Sequence, residues 1–293
     1  MDTKVTVGLC LKNAATNVKT AFHSISIQDY PHNLIKIVIV VDGNEDSTLA
    51  LALKFAQETD ARALVKFNQN KGLGAARQAV VDNAEGNYII WIDDDFVLNK
   101  NFITNHVNFM EKNPNVGAAC PKVLPTYKTT VAMLETIDFL LPNPKPTFVG
   151  TGGSIFRLQA IKEVQGFDVK VKGAGEDWDI SHRIAEAGWT LASDDSAVFY
   201  RKYPPSTLPA LWKKHSWYGY GNHLLCHKFQ ENRALLLAYY PPYAALGSLK
   251  SFPKLYQSAH KKEVFLLPLY AFFVGAAENF GFMKAHAKGH GHS

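Results

Sequence analysis

Seven consecutive residues, Ile35–Val41 (IKIVIVV), limit what this chain can become more than any other stretch. β-Branched side chains lose freedom in a helix and pack well on a pleated surface, so the run reads as a buried strand. It stops abruptly at Asp42-Gly43. Val5–Leu11 (VTVGLCL) has the same character, and Ala63–Phe67 and Tyr88–Ile92 supply two further strands. Helical stretches lie between them: one ending near Tyr30-Pro31, one around Asp46–Glu58, and one from about Gly72 to Asn83. Strands alternating with helices of this length require crossover connections, and hence a mostly parallel sheet flanked by helices. Ligands of such sheets bind beyond the carboxyl ends of the strands. That directs attention to Asn13, Asp42 and the acids after Ile92.

The pattern loosens after Pro121, and LPNPKP at 141–146 reads as a loop. Alternation returns in Leu158–Val164, Trp178–Ala187 and Trp189–Tyr200, then ceases. A boundary is therefore expected near residue 200, between an α/β catalytic domain over 1–200 and a mainly helical region over 201–293. The second region is basic and aromatic, with 12 Lys and Arg against three Asp and Glu, and 17 of the 35 aromatic residues. Such a mixture suits an anionic membrane surface, whereas no nucleic-acid recognition motif accompanies it. A packed helical appendage with a solvated Lys face has the same composition. Val264–Ala277 is an apolar or small run of 14 residues. Spanning a bilayer takes ~20, and Glu278-Asn279 interrupts the extension, so an interfacial, re-entrant or buried helix is expected. The terminal HAKGHGHS is expected to be disordered, with no role for its histidines. Cys10, Cys120 and Cys226 have neither disulfide nor zinc spacing, and the N-terminal apolar run is too short for a signal peptide. Both features fit cytosolic synthesis.

Four clusters carry chemistry. Asp93-Asp94-Asp95 follows an apolar strand, and the outer two carboxylates project to one side if the backbone is extended. Three adjacent acids repel one another unless they face a divalent cation, for which Mg²⁺ and Mn²⁺ are the hard, oxygen-seeking candidates. An acidic loop with one helix-capping Asp is the plain alternative. Asp42 can accept from a ribose or base, although Asp-Gly also suits a turn. In Asn70–Arg77 (NKGLGAAR), two glycines at a helix start lie beside Lys71 and Arg77. Free amides and cations can hold a diphosphate there, or the glycines merely cap. Glu176, Asp177 and Trp178 open a helical pattern, where an acid either caps or serves as a general base.

Taken in order, these segments resemble the family 2 inverting glycosyltransferases of GT-A fold. The resemblance runs through LCLKN, SISIQDYP, VVDGNEDS, NKGLGAARQ, DDD, QGFDV and EDWDISHRIAEAGW, over residues 4–200. It implies a Rossmann-like catalytic domain that moves a sugar from a nucleotide-sugar donor, UDP- or GDP-linked, to an acceptor. It places Asn13 and Asp42 at the nucleoside, and Lys71, Arg77, Asp93 and Asp94 along the donor. Asp95, with Asp93, would hold Mn²⁺ or Mg²⁺, and Asp177 would be the catalytic base, with Glu176 and Trp178 in the acceptor region. Gly43 stands where a second Asp is usual, which leaves the base preference open. The QxxRW signature of processive relatives is missing after residue 200, where the chain reads LWKKHSW, so transfer of a single sugar is expected. A base beside the acceptor implies a hydroxyl rather than a phosphate, on a glycan or lipid-linked sugar at the cytoplasmic face of a membrane. Two other classes share such acids. A sugar-phosphate nucleotidyltransferase would need a glycine-rich basic loop after the first strand, which LCLKNAATN lacks. A non-catalytic sugar-nucleotide-binding protein would keep the fold without turnover.

Overall fold

In the computed structural model the described residues are 3–43, 45–126, 128–137, 141, 145–202, 205–229 and 240–289. In chain order the elements are β1 (Val5–Leu11), α1 (Val18–Ser26), β2 (Ile35–Val41), α2 (Thr48–Glu58), β3 (Arg62–Phe67), α3 (Leu73–Asp82) and β4 (Tyr88–Trp91). Then follow β5 (Phe96–Leu98), α4 (Phe102–Lys112), β6 (Val116–Pro125), α5 (Thr130–Thr136), β7 (Ile155–Arg157), α6 (Leu158–Glu163), α7 (Glu176–Glu186) and β8 (Thr190–Arg201). Three long helices complete the chain: α8 (Leu208–Lys228), α9 (Pro241–Ala259) and α10 (Leu267–Ala287). These elements fall into two compact units. One comprises Met1–Leu124, Asn143–Lys172 and Glu176–Lys202; the other comprises Pro125–Pro142, Gly173–Gly175 and Tyr203–Ser293.

The first unit is built on an eight-stranded sheet of order β3-β2-β1-β4-β7-β6-β8-β5. Alternation along β2 explains why its run is apolar but for Lys36, whose ammonium pairs with Glu85. Ile35, Ile37, Ile39 and Val41 enter one core with Phe22 of α1, Phe55 of α2 and Phe102 of α4. Val38 and Val40 enter a second core with Val80 of α3, Trp91 and Ile180 of α7. Both faces are therefore covered, as period-two side-chain direction and crossover helices require. The pairs β1–β2, β2–β3 and β1–β4 are parallel, in register from Val5↔Ile35 to Leu11↔Val41 and from Val5↔Tyr88 to Gly8↔Trp91. The carboxyl ends of β1, β2 and β4 thus lie along one edge, and so do the segments opened by Lys12, Asp42 and Ile92. Beyond β4 the sheet turns antiparallel, in β4–β7, β6–β7 and β5–β8. The mixed sheet has its parallel half where the alternation of strand and helix was legible.

The second unit is helical. Thr129 and Thr207 cap α5 and α8, each accepting a backbone N–H from three residues on. Helices α8 and α10 touch backbone to backbone. A Cβ on Gly219 would meet the Glu278 carbonyl oxygen at 1.9 Å, and one on Gly281 would meet that of Ser216 at 1.9 Å. A polar network lies within this unit: His215 bonds Glu278 through Nδ1 at 2.8 Å and Glu135 through Nε2 at 3.0 Å. Lys214 and the Tyr270 hydroxyl also donate to Glu135. Glu278 interrupts the apolar run but not the helix, inside which it is buried against His215. Lys262–Ala287 is a helical stretch of 26 residues in which an 18-residue window reaches mean hydropathy 1.4, enough by length and composition to cross a membrane, while the uninterrupted apolar run within it is the 14 residues read from sequence. Helix α10 also takes in His286, placed above in a disordered tail. Residues 290–293 of that tail, and 142–144 of the LPNPKP loop, lie outside the described residues.

The network sets a pH dependence. Burial opposes charge on His215, but Glu135 and Glu278 outweigh it and raise its pKa above the usual 6.5. Burial likewise works against Glu135, yet His215 and Lys214 pull its carboxyl from 4.5 down to about 2. His215 thus stabilises fully below 6.5 and loses its effect as pH rises through its raised pKa, while Glu135 stabilises above 4.5 and loses its effect as pH falls towards 2. Replacing His215 by Gln is expected to cost about 3 kcal/mol in urea denaturation between those two ordinary values, with the difference shrinking at higher pH. A pH-independent difference would mean that His215 is neutral in the fold.

Candidate functional site

The site grows from the carboxyl edge of the parallel strands. Asp42 continues β2, its N–H bonded to the Leu11 carbonyl at 2.8 Å. Its carboxylate accepts from Asn68 Nδ2 at 3.0 Å and from the Gly72 N–H at 3.2 Å, and is almost buried. Gly72 has φ +95°, and a Cβ there would lie 2.7 Å from the Lys172 backbone. The next two amides, of Leu73 and Gly74, bond the carbonyls of Lys172 (3.2 Å) and Val171 (2.9 Å). The three amides opening α3 are thus committed within the protein, and the glycines serve close backbone approach. A cradle of free amides for a diphosphate, one expectation for this stretch, is not formed here. Lys71 is exposed, and so is Asn13, which sits in the left-handed region at φ +51° and donates to Glu45 at 2.8 Å.

The three consecutive acids do not form an extended strand end; the backbone turns at Asp94 and Asp95. Each carboxylate has its own partner instead. Asp93 Oδ1 is 3.4 Å from Arg77 Nη2, Asp94 accepts from Asn17 at 3.2 Å, and Asp95 accepts from Arg201 Nε at 3.0 Å. Arg201 reaches Asp95 because β8 pairs with β5, Phe96 opposite Arg201. Burial, followed by repulsion from Asp95, pushes the Asp94 carboxyl up to about 6. Burial also raises Asp95, with Arg201 working against it.

Arg77 gathers the remaining acids. Projecting from α3 it is buried, with its guanidinium 4.9 Å from the centre of the Trp91 ring. It donates to Thr151 Oγ1 at 2.9 Å and lies 3.7 Å from Glu176 as well as beside Asp93. Its Nε and Nη1 make no hydrogen bond among the described residues. Glu176 and Asp177 open α7. Burial, then the neighbouring Asp177, drives the Glu176 carboxyl upward against the pull of Arg77. Burial raises Asp177 too, although the backbone N–H groups of Trp178 and Thr151 bond it. Trp178 stacks on His182 at 4.9 Å. Asp179 is fully buried and tied to Arg183, so it belongs to the helix rather than to this group.

The segment Gly150–Gly153, to which no role was given from sequence, runs between these acids. A Cβ at Gly150 would lie 3.2 Å from Asp177 Oδ2, and one at Gly152 3.7 Å from Asp93 Oδ2. His106, fully buried, holds the segment by linking Asp194 (2.9 Å) to the Gly153 carbonyl (3.0 Å). The only signal available in sequence was the clustering of three glycines around Thr151. The absent side chain at Gly152 leaves room beside Asp93, and all three Asp offer hard oxygen donors. Carboxylate oxygens are the donors that Mn²⁺ or Mg²⁺ takes, but here the three Asp are held apart by Arg77, Asn17 and Arg201 rather than gathered on one point.

A mixed α/β sheet with carboxylates at its strand ends, helices on both faces and a helical region beyond defines the GT-A class. Residues 6–164 match the model of "Glycosyl transferase family 2", and residues 88–277 that of "Glycosyl transferase family group 2". The chain belongs to glycosyl transferase family 2. It is 27% identical to an N-acetylglucosaminyltransferase of Azorhizobium caulinodans, over 66% of this chain and 53% of that protein. It is 22% identical to the poly-beta-1,6-N-acetyl-D-glucosamine synthase of Staphylococcus epidermidis, over 73% and 53%. The chain spans about half the length of these two curated relatives. Among solved structures it resembles the mannosyltransferase PcManGT from Pyrobaculum calidifontis in complex with GDP-Man and Mn²⁺, with TM-score 0.67, 18% identity, and coverage of 97% and 88%. S. aureus TarS 1-349 in complex with UDP is similar at TM-score 0.53, 15% identity, and coverage of 98% and 92%.

The commitment of Gly72 can be tested directly. Gly72→Ala forces a Cβ towards the Lys172 backbone and strains a left-handed residue, so urea denaturation should show a loss of about 1–3 kcal/mol. Unchanged stability would free these amides from the packing role assigned to them.

Proposed function

We propose that this protein transfers a single sugar from a nucleotide sugar to an acceptor hydroxyl, with inversion at the anomeric carbon. The observation that carries the reading is the gathering of Arg77, Asp93, Glu176 and Asp177 around Gly150–Gly153, at the edge where parallel sheets bind ligands. Membership of a glycosyltransferase family speaks against the nucleotidyltransferase alternative, and the nucleotides named with PcManGT and TarS favour a GDP- or UDP-linked donor.

Asp42 keeps lone pairs on both oxygens for a ribose or base, and Asn13 and Lys71 offer donors at the same edge. Asp95 and Asp93 would hold Mn²⁺ or Mg²⁺, which supplies positive charge to the departing nucleoside diphosphate. Arg77 is too buried to serve as a mobile phosphate clamp. It positions Asp93 and Glu176 instead, and Asp94 supports the turn through Asn17. Glu176, raised by burial and by its neighbour, retains a proton so that Asp177 can remain the anion of the pair. Asp177 then takes the proton of the acceptor hydroxyl as that oxygen attacks, and Trp178 offers an aromatic face to the acceptor region. A phosphate acceptor would need no such base. In Asp177→Asn, kcat is expected to fall about 10²–10⁴-fold, with donor affinity and circular dichroism little changed. Full turnover in that variant, with only earlier melting, would leave Asp177 as a helix cap.

We also assign membrane contact, at the cytoplasmic face, to the helical unit, which suits a lipid-linked or glycolipid acceptor. The free state of all three cysteines is compatible with that compartment. Exposed Tyr243, Leu246, Leu249, Phe265, Leu269 and Phe272 share this unit with Lys250, Lys254, Lys261 and Lys262. Each Lys contributes about 1 kcal/mol near an anionic surface, screened by salt, whereas apolar insertion resists salt. Sedimentation with phosphatidylglycerol vesicles should therefore weaken at high salt without vanishing. Protein that stays in the supernatant at low salt would exclude this contact and point to a soluble acceptor.

A further inference from the structure

Three histidines of the helical unit converge on one point. His223 and His227 stand one turn apart on α8, and His286 lies on the last turn of α10. His227 Nε2 is 3.2 Å and His286 Nδ1 is 3.3 Å from the same atom, His223 Nε2. All three ring nitrogens lie within 4.8 Å of one another. A ring nitrogen carries either one proton or one lone pair, so His223 Nε2 cannot make a separate linear hydrogen bond to each of these two neighbours.

A cation satisfies both. With metal–nitrogen bonds of about 2.0–2.1 Å, tetrahedral geometry holds two imidazole nitrogens about 3.3–3.4 Å apart. Two of the three separations, 3.2 and 3.3 Å, lie within about 0.2 Å of it. The surroundings fix the spacing: His223 is fully buried with its ring edge against Phe282 at 4.8 Å, and Gly219 and Gly281 let α8 and α10 meet at the backbone. His227 and His286 are exposed, which leaves an entry path from solvent. We propose that His223, His227 and His286 form a zinc site that staples α8 to α10. Three neutral imidazoles suit a borderline-soft tetrahedral cation, whereas Mn²⁺ and Mg²⁺ prefer the carboxylates of the α/β unit. The fourth position belongs to water or to an added ligand, as in other three-histidine sites. This zinc is separate from the cation of the proposed transfer reaction.

The test uses the full chain carrying His290→Ser and His292→Ser, so that the terminal histidines do not contribute. After chelator treatment the protein is dialysed against Zn²⁺ with Mn²⁺ in excess, and bound zinc is measured by mass spectrometry. The expected result is one more equivalent of zinc per chain than in the same background with His227→Ala and His286→Ala. Zinc should also raise the Tm of the parent by several degrees and leave the variant unmoved. Both replaced side chains are exposed, so circular dichroism should match, and the single His286→Ala change should lose the same equivalent. Equal zinc in parent and variant, or none in the parent, overturns the site.

Discussion

A buried guanidinium holds the functional end of the α/β unit together. Arg77 is almost inaccessible to water, and a charge so placed is tolerated only where opposite charges and hydrogen bonds replace the solvent. Its partners come from three separate segments: Asp93 at the end of β4, Thr151 in the glycine-rich segment, and Glu176 at the start of α7. Neutralising Arg77 would leave Asp93 and Asp177 without their shared counter-charge and release the segment that runs between them. The positions of Asp93, Glu176 and Asp177 are therefore set from behind, by one buried side chain.

The neighbouring edge at Asp42 is organised differently. Asp42 is pinned by Asn68 and by the Gly72 amide, and the start of α3 is pinned in turn by the Val171 and Lys172 carbonyls. Backbone contacts this close need glycine, so the glycines of NKGLGAAR build a rigid wall rather than a phosphate cradle. Under the proposed function, positive charge for a diphosphate comes from a cation and from exposed Lys71, and donor binding rests on the carboxylates.

What could be read from sequence follows the range of the forces involved. β2 was legible because a strand buried on both faces is apolar at nearly every position, Lys36 near its start excepted, and the parallel half of the sheet followed from helices between strands. Asp93, Asp95 and Asp177 stood out because adjacent acids need a reason to be adjacent. Of the antiparallel half, β8 showed as Trp189–Tyr200, but β5 and β7 are three residues each and too short to show a period. Arg201 meets Asp95 across a separation of 106 residues, which only strand pairing could disclose. Glu278 looked like the end of an apolar helix because its partner His215 is remote in sequence. The convergence of His223 and His227 with His286 was hidden for the same reason, each pair being separated by a whole helix–helix contact.

The most direct measurement is calorimetric titration of the protein with UDP and with GDP, in Mn²⁺ and again in excess EDTA, alongside Asp95→Asn. If the acids after β4 hold the donor through a cation, one of the two nucleotides binds in Mn²⁺. That binding disappears in EDTA and in the variant, while the fold of each sample is unchanged by circular dichroism. Binding that is indifferent to EDTA and to Asp95→Asn, or the failure of both nucleotides to bind in Mn²⁺, would contradict it.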